Sequence, residues 1–128
     1  MSTPKPRRPV CTSIVVCDRV VVYPDRMDML GAFNGKAVER FPTTLSIAVV
    51  FSITDGQGEY ELELSGEHDE AEATLGRATQ QINIPKPTTY HDQAVALDLK
   101  LSRPGSFNIK LKANGDLIGQ RAFLLMAK

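Results

Sequence analysis

Four side chains could act as a thiol nucleophile, an imidazole base or a soft metal ligand: Cys11, Cys17, His68 and His91. A hydrolytic constellation needs a nucleophile, a base and a group that orients the base, converging in one pocket. Either cysteine could form a thiol–imidazole pair with His91, but no flanking motif supports one. His91 stands in Thr88-Thr89-Tyr90-His91-Asp92, which reads as a loop. Zinc takes about four Cys or His ligands, usually closely spaced, and the chain contains no CxxC or HxxxH pair. Calcium accepts several carboxylates, so Asp55, Glu67, Asp69 and Glu70 could gather at loop ends. Without EF-hand spacing, the plainer expectation for them is a solvated acidic face and loop. There is no GxxxxGK[ST] phosphate loop and no GxGxxG fingerprint, and Gly56 and Gly58 fall in a turn and not ahead of a helix. The expectation is therefore no catalytic residue, no metal and no cofactor.

Composition narrows the partners. The 128 residues carry 15 basic and 15 acidic side chains, so the net charge is zero. A neutral chain has no global attraction for nucleic acid or an anionic membrane. Lys100, Lys110 and Lys112 sit on the wet faces of two strands that could be neighbours, which makes them the one candidate basic patch. With no tryptophan and 3 tyrosines, aromatic platforms for sugars are scarce. Lys5, Arg7 and Arg8 alternate with Pro4, Pro6 and Pro9, which predicts a disordered arm over residues 1–9 and one domain over residues 10–128. The apolar run after the arm is broken by Thr12, Ser13, Asp18 and Arg19, unlike a secretory signal. No stretch approaches the roughly 20 apolar residues that span a bilayer. The expected location is the cytoplasm.

The elements that would position these residues are strands. Valines and isoleucines from Cys11 to Tyr23 put apolar groups on both faces, as in a strand covered on both sides or one with a bulge near Asp18. Cys11 and Cys17 then lie about 20 Å apart along that strand, beyond disulfide reach, and read as small apolar residues. A turn over Pro24 to Asp28 leads to a short return from Leu30 to Asn34. Leu45, Ile47, Val49, Phe51 and Ile53 share one face in a period of two. A four-residue loop at Asp55-Gly56-Gln57-Gly58 would place Ile53 opposite Tyr60, Phe51 opposite Leu62 and Val49 opposite Leu64, a hairpin with every apolar pair on one face.

Residues 67–81 mix helix formers with Gly76 and Thr79, and the all-β surroundings favour strand. Val95 to Leu101 and Phe107 to Leu111 alternate, with a turn at Arg103-Pro104-Gly105 between them. Asn114-Gly115 marks a hairpin into a last strand ending near Met126. Two registers remain open there, Leu111 opposite Ile118 or opposite Leu117, and each turns Gln120 or Arg121 inward. Seven or eight strands at these intervals predict an all-β, antiparallel β-sandwich.

The order of Cys17-Asp18, Leu30-Gly31-Ala32-Phe33, Phe41-Pro42, Asp55-Gly56-Gln57-Gly58, Pro104-Gly105-Ser106-Phe107-Asn108-Ile109, Asn114-Gly115 and Arg121-Ala122-Phe123 resembles a family of small, functionally uncharacterised bacterial β-sandwich proteins. The resemblance implies an immunoglobulin-like sandwich and brings no catalytic residues with it. The function expected is a non-catalytic protein-interaction or self-assembly module working through a sheet face or edge, with a protein partner or a second copy of the chain. The alternative is a small-ligand or carbohydrate-binding domain, calcium-assisted at a loop end.

Overall fold

The computed structural model describes residues 7–70 and 74–128. Among the described residues nine strands run in order: β1 Val10–Val22, β2 Met27–Ala32, β3 Gly35–Val38, β4 Thr43–Thr54, β5 Gly58–His68, β6 Thr74–Ile84, β7 His91–Leu101, β8 Gly105–Ala113 and β9 Asp116–Ala127. One sheet has the order β2-β1-β4-β7, the other β3-β9-β8-β5-β6. Each presents one apolar row inward. Ile14, Val16, Ile47, Val49, Phe51, Ile53, Leu97 and Leu99 on the first sheet meet Tyr60, Leu62, Leu64, Phe107, Ile109, Leu111, Phe123 and Leu125 on the second. This is the expected immunoglobulin-like sandwich. The strand beyond the expected count is β3, four residues that pair in parallel with β9, from Gly35 opposite Leu124 to Val38 opposite Ala127.

The expected hairpin around Asp55 to Gly58 does not form. β4 pairs with β1 and β7, while β5 pairs with β6 and β8. The loop carries the chain from one sheet to the other. Alternation decides which way each side chain points. It does not decide whether the matching apolar row lies beside it or about 10 Å away across a sandwich. The loop's own bonding decides that. Asp55 and Gly58 take φ of 63° and 108°, and the Asp55 amide donates to the Pro87 carbonyl at 3.0 Å. The buried Tyr60 hydroxyl accepts the Gln57 amide at 2.8 Å and donates to the Arg7 carbonyl. Arg7 also pairs with Asp55 at 2.8 Å and bridges Gln57, and Pro9 is buried. Of the last three residues of the expected disordered arm, Arg7 is thus bound to this arch by Tyr60 and Asp55, while Arg8 donates to the Leu117 carbonyl. Residues 1–6 lie outside the described residues.

Three further expectations resolve. Most of 67–81 is strand, with Ala71 to Ala73 outside the described residues. Gly76 belongs there because a β-carbon would strike the Asp98 carbonyl of β7. The β1 irregularity against β4 falls between Cys11 and Ser13, not at Asp18. The last hairpin takes neither register left open. Asn114 and Gly115, at φ 50° and 86°, make a two-residue turn of the kind that matches strand twist. A bulge at Ile118 then moves Leu111 opposite Gly119 and Phe107 opposite Phe123. It keeps both phenyl rings in the core, stacked at 5.7 Å. Arg121 takes the inward polar position, half-buried, and donates to the Asn34 side chain.

Candidate functional site: a cleft under the first hairpin

β1 outruns its sheet. It pairs with β4 only as far as Cys17 opposite Ala48, and from Arg19 to Val22 its partner is β2 alone. The change of direction falls where Asp18 faces Gly31. Gly31 has φ +69°, and the Asp18 side chain fills the space its missing β-carbon would take. Lys36 pairs with Asp18 and sits 5.4 Å over the Phe33 ring, so the corner is bonded on both sides. Beyond it runs a two-stranded ribbon, the form of sheet that twists most.

The ribbon overhangs the outer face of the first sheet. Val22, Tyr23, Met27 and Met29 line one wall of a cleft of about 440 Å³, with Ser13, Val50, Ser52 and Asp92 opposite. Beside the corner, Cys17 and its partner Ala48 point away from the core by alternation yet are only 0% and 8% exposed. Burial first, and the Asp18 charge second, push the Cys17 thiol above its ordinary range. At the tip, the Tyr23 amide donates to the Arg26 carbonyl at 2.8 Å. The Arg26 guanidinium stacks 4.2 Å over the Tyr23 ring and lies 3.6 Å from both Asp25 and Asp28.

The cleft floor follows from the register of β4 with β7. Outward pairs run Ser52–Asp92, Val50–Ala94, Ala48–Ala96, Ser46–Asp98 and Thr44–Lys100. The Ser52 hydroxyl donates to Asp92, and the Ser46 hydroxyl donates to Asp98 at 2.6 Å. A strip of small apolar side chains thus lies between two serine-bound carboxylates. The ribbon adds exposed apolar surface of its own, with Val22 68% exposed and Val21, Met29 and Leu30 about as open as ordinary surface residues.

A family model described as a family of unknown function (DUF6941) matches residues 12–125. The chain belongs to that family. No curated protein matches the DUF6941 chain. Among solved structures it is similar to a β-glucuronidase from glycoside hydrolase family 2, with a TM-score of 0.50 and 10% identity over 68% of this chain. A glycoside hydrolase family 2 member from Bacteroides cellulosilyticus gives 0.47 and 12% over 64%. The DUF6941 chain spans only 10% and 12% of those two enzymes. The first likeness is one of fold alone, a two-sheet β-sandwich.

The residues singled out in the DUF6941 sequence do not converge. Cys11 and His91 both register with Ile53, from opposite sides. Two strand spacings, about 10 Å, therefore separate them, with a core side chain between. Cys17 lies further along, opposite Ala48 in the middle of β4. His91 instead meets Gln93 at 2.8 Å. His68 is a buried structural residue: Nδ1 accepts the Glu70 amide at 3.1 Å, Nε2 lies 3.3 Å from the Pro104 carbonyl, and the ring meets Phe107 edge-on at 4.7 Å.

The proposed calcium carboxylates are split. Asp55 pairs with Arg7 at one end of β5, while Glu67 pairs with Lys110 at 2.9 Å and Glu70 with Arg103 at 3.7 Å near the other. Asp69 follows β5 at that same far end. The lysine patch is split too, since Lys100 is on β7 and Lys110 and Lys112 are on β8 of the other sheet. Sequence reasoning missed the cleft residues. Val20-Val21-Val22, apolar on both faces, and the Met27–Met29 pair were the available signal.

Proposed function

We propose that this domain is a non-catalytic protein-interaction module whose contact surface is the β1–β2 ribbon with the sheet face it overhangs. The observation that carries the reading is the ribbon itself: Val21, Val22, Met29 and Leu30 are exposed together on an element held off the core. Methionine-bearing surfaces adapt to a partner at low cost. The long edges support the same choice. β6 and β7 fold against each other, with Gly76 pressed on the Asp98 carbonyl and the Gln93 amide donating to Gln80, so neither offers a free edge to an incoming strand. β2 does, over six residues.

The test is sedimentation of the wild type and of a Val22→Asp/Leu30→Asp variant, each alone and with the proteins that copurify from the native cell. Loss of self-association or partner association in the variant, at unchanged melting temperature, supports the reading. Association equal in both overturns it. The cleft's 440 Å³ falls within the range of small-molecule sites, roughly 300–1,000 Å³, which favours small-ligand binding as the second reading. A melting-temperature rise with a small molecule or glycan, abolished by Met29→Asp, would select it.

A further inference from the structure

The outer face of β4 and β7 has a charge pattern that the ribbon alone does not explain. Asp92 and Asp98 point outward six residues apart on one strand, about 20 Å. Each is held by a neutral serine hydroxyl. Among the described residues neither has a cationic partner within salt-bridge distance, although eight other acid–base pairs form across the chain. Lys100 follows Asp98 on the same face and ends the acidic stretch. Arg26, the basic residue of the cleft lining, is already engaged by Tyr23, Asp25 and Asp28. Between the carboxylates, Ala94 and Ala96 point outward along β7, beside Val50 and the buried Ala48 of β4. Val22, Tyr23, Met27 and Met29 stand over the Asp92 end.

We infer that this groove binds an extended, basic segment of a partner protein, with cationic side chains at Asp92 and Asp98 and small apolar side chains along the strip between them. The inference rests on the interaction reading above and names the chemistry of its partner. Charge complementarity selects the occupant: an acidic or neutral segment would leave both carboxylates without a counter-charge, whereas lysine or arginine supplies one at each end. An extended chain reaches from one to the other in about six residues.

The probe is a fluorescein-labelled peptide with arginines at its first and seventh positions and small apolar residues between, compared by anisotropy with its glutamate counterpart and with agmatine as a free cation. The expected result is saturable binding of the arginine peptide, none of the glutamate peptide, and weakening by at least about fivefold in Asp92→Asn/Asp98→Asn. Those substitutions keep side-chain size at exposed positions, and the peptide charge reversal needs no variant at all. Equal binding of both peptides, or affinity unchanged in the double variant, overturns the inference. Displacement of the peptide by agmatine at equal concentration overturns it in favour of a small-cation pocket. Partner association that survives Asp92→Asn/Asp98→Asn but fails in Val22→Asp/Leu30→Asp removes this inference and leaves the interaction reading standing.

Discussion

Gly31→Ala should loosen the ribbon without unfolding the sandwich. The residue sits at φ +69°, and an added β-carbon would lie 2.9 Å from the Asp18 carboxyl carbon. A left-handed backbone costs an L-residue about 1–2 kcal/mol. Displacing Asp18 also disturbs its pair with Lys36, which is part-exposed and worth no more than about 1 kcal/mol. The strain falls where β1 has left β4, so its relief is to open the ribbon. Cys17 reports that opening, because its thiol is buried at the corner. In a Cys11→Ser background, Ellman's reagent should then label Cys17 about 5- to 30-fold faster in Gly31→Ala, when reclosing outpaces labelling. Urea unfolding should shift by less than the same free energy. Replacing Asp18 by alanine in the same chain should recover the collision component and leave the backbone strain. Labelling that changes only in step with the urea stability would refute the reasoning, since the ribbon would then open only when the whole domain does.

Other perturbations have separate causes. Tyr60→Phe removes the hydroxyl that accepts the Gln57 amide and donates to Arg7. It should cost about 1–3 kcal/mol in urea unfolding and strip exchange protection from the Arg7–Gln57 bridge. Arg7→Ala breaks an exposed pair and should change stability by less than about 0.5 kcal/mol. Gly76→Ala pushes against the Asp98 backbone and should destabilise by about 1–3 kcal/mol, visible as a lowered melting temperature.

Both thiols are raised from the ordinary value of 9.0, chiefly by burial. Above that pH the unfolded chain loses thiol protons that the folded chain retains, so stability should fall as pH rises past 9.0. Cys11→Ser/Cys17→Ala should flatten that part of the slope in urea midpoints taken on either side.

The strands were legible because burial on one face forces a period of two, as in Leu45 to Ile53 and Phe107 to Leu111. The pairing was less so. Ile53, Phe51 and Val49 match Tyr60, Leu62 and Leu64 equally well as sheet neighbours or as rows facing across the core. Long-range bonds to Pro87 and Arg7 choose between the two. β3 gave no periodic signal, because four residues at an edge bury only Val38. The bulge at Ile118 is set by seating Phe123 against Phe107, a contact no local pattern specifies. The cleft was invisible for a related reason. Its floor is the outward face of β4 and β7, its wall is the ribbon, and the corner joining them depends on one glycine whose role shows only when Asp18 is seen above it.

The alternation of the chain between sheets has a consequence for synthesis. Of the eight connections, five cross from one sheet to the other, so most strands emerge before their neighbours exist. β3 is made early, yet its partner is Leu124 to Ala127 of β9, which is made after every other strand described. β9 also lies between β3 and β8 and completes the second sheet. A ribosome that stalls or terminates short of β9 therefore releases a product with an unfilled sheet position and a bared apolar face, a ready substrate for proteolysis. The integrity of the second sheet thus rests on β9.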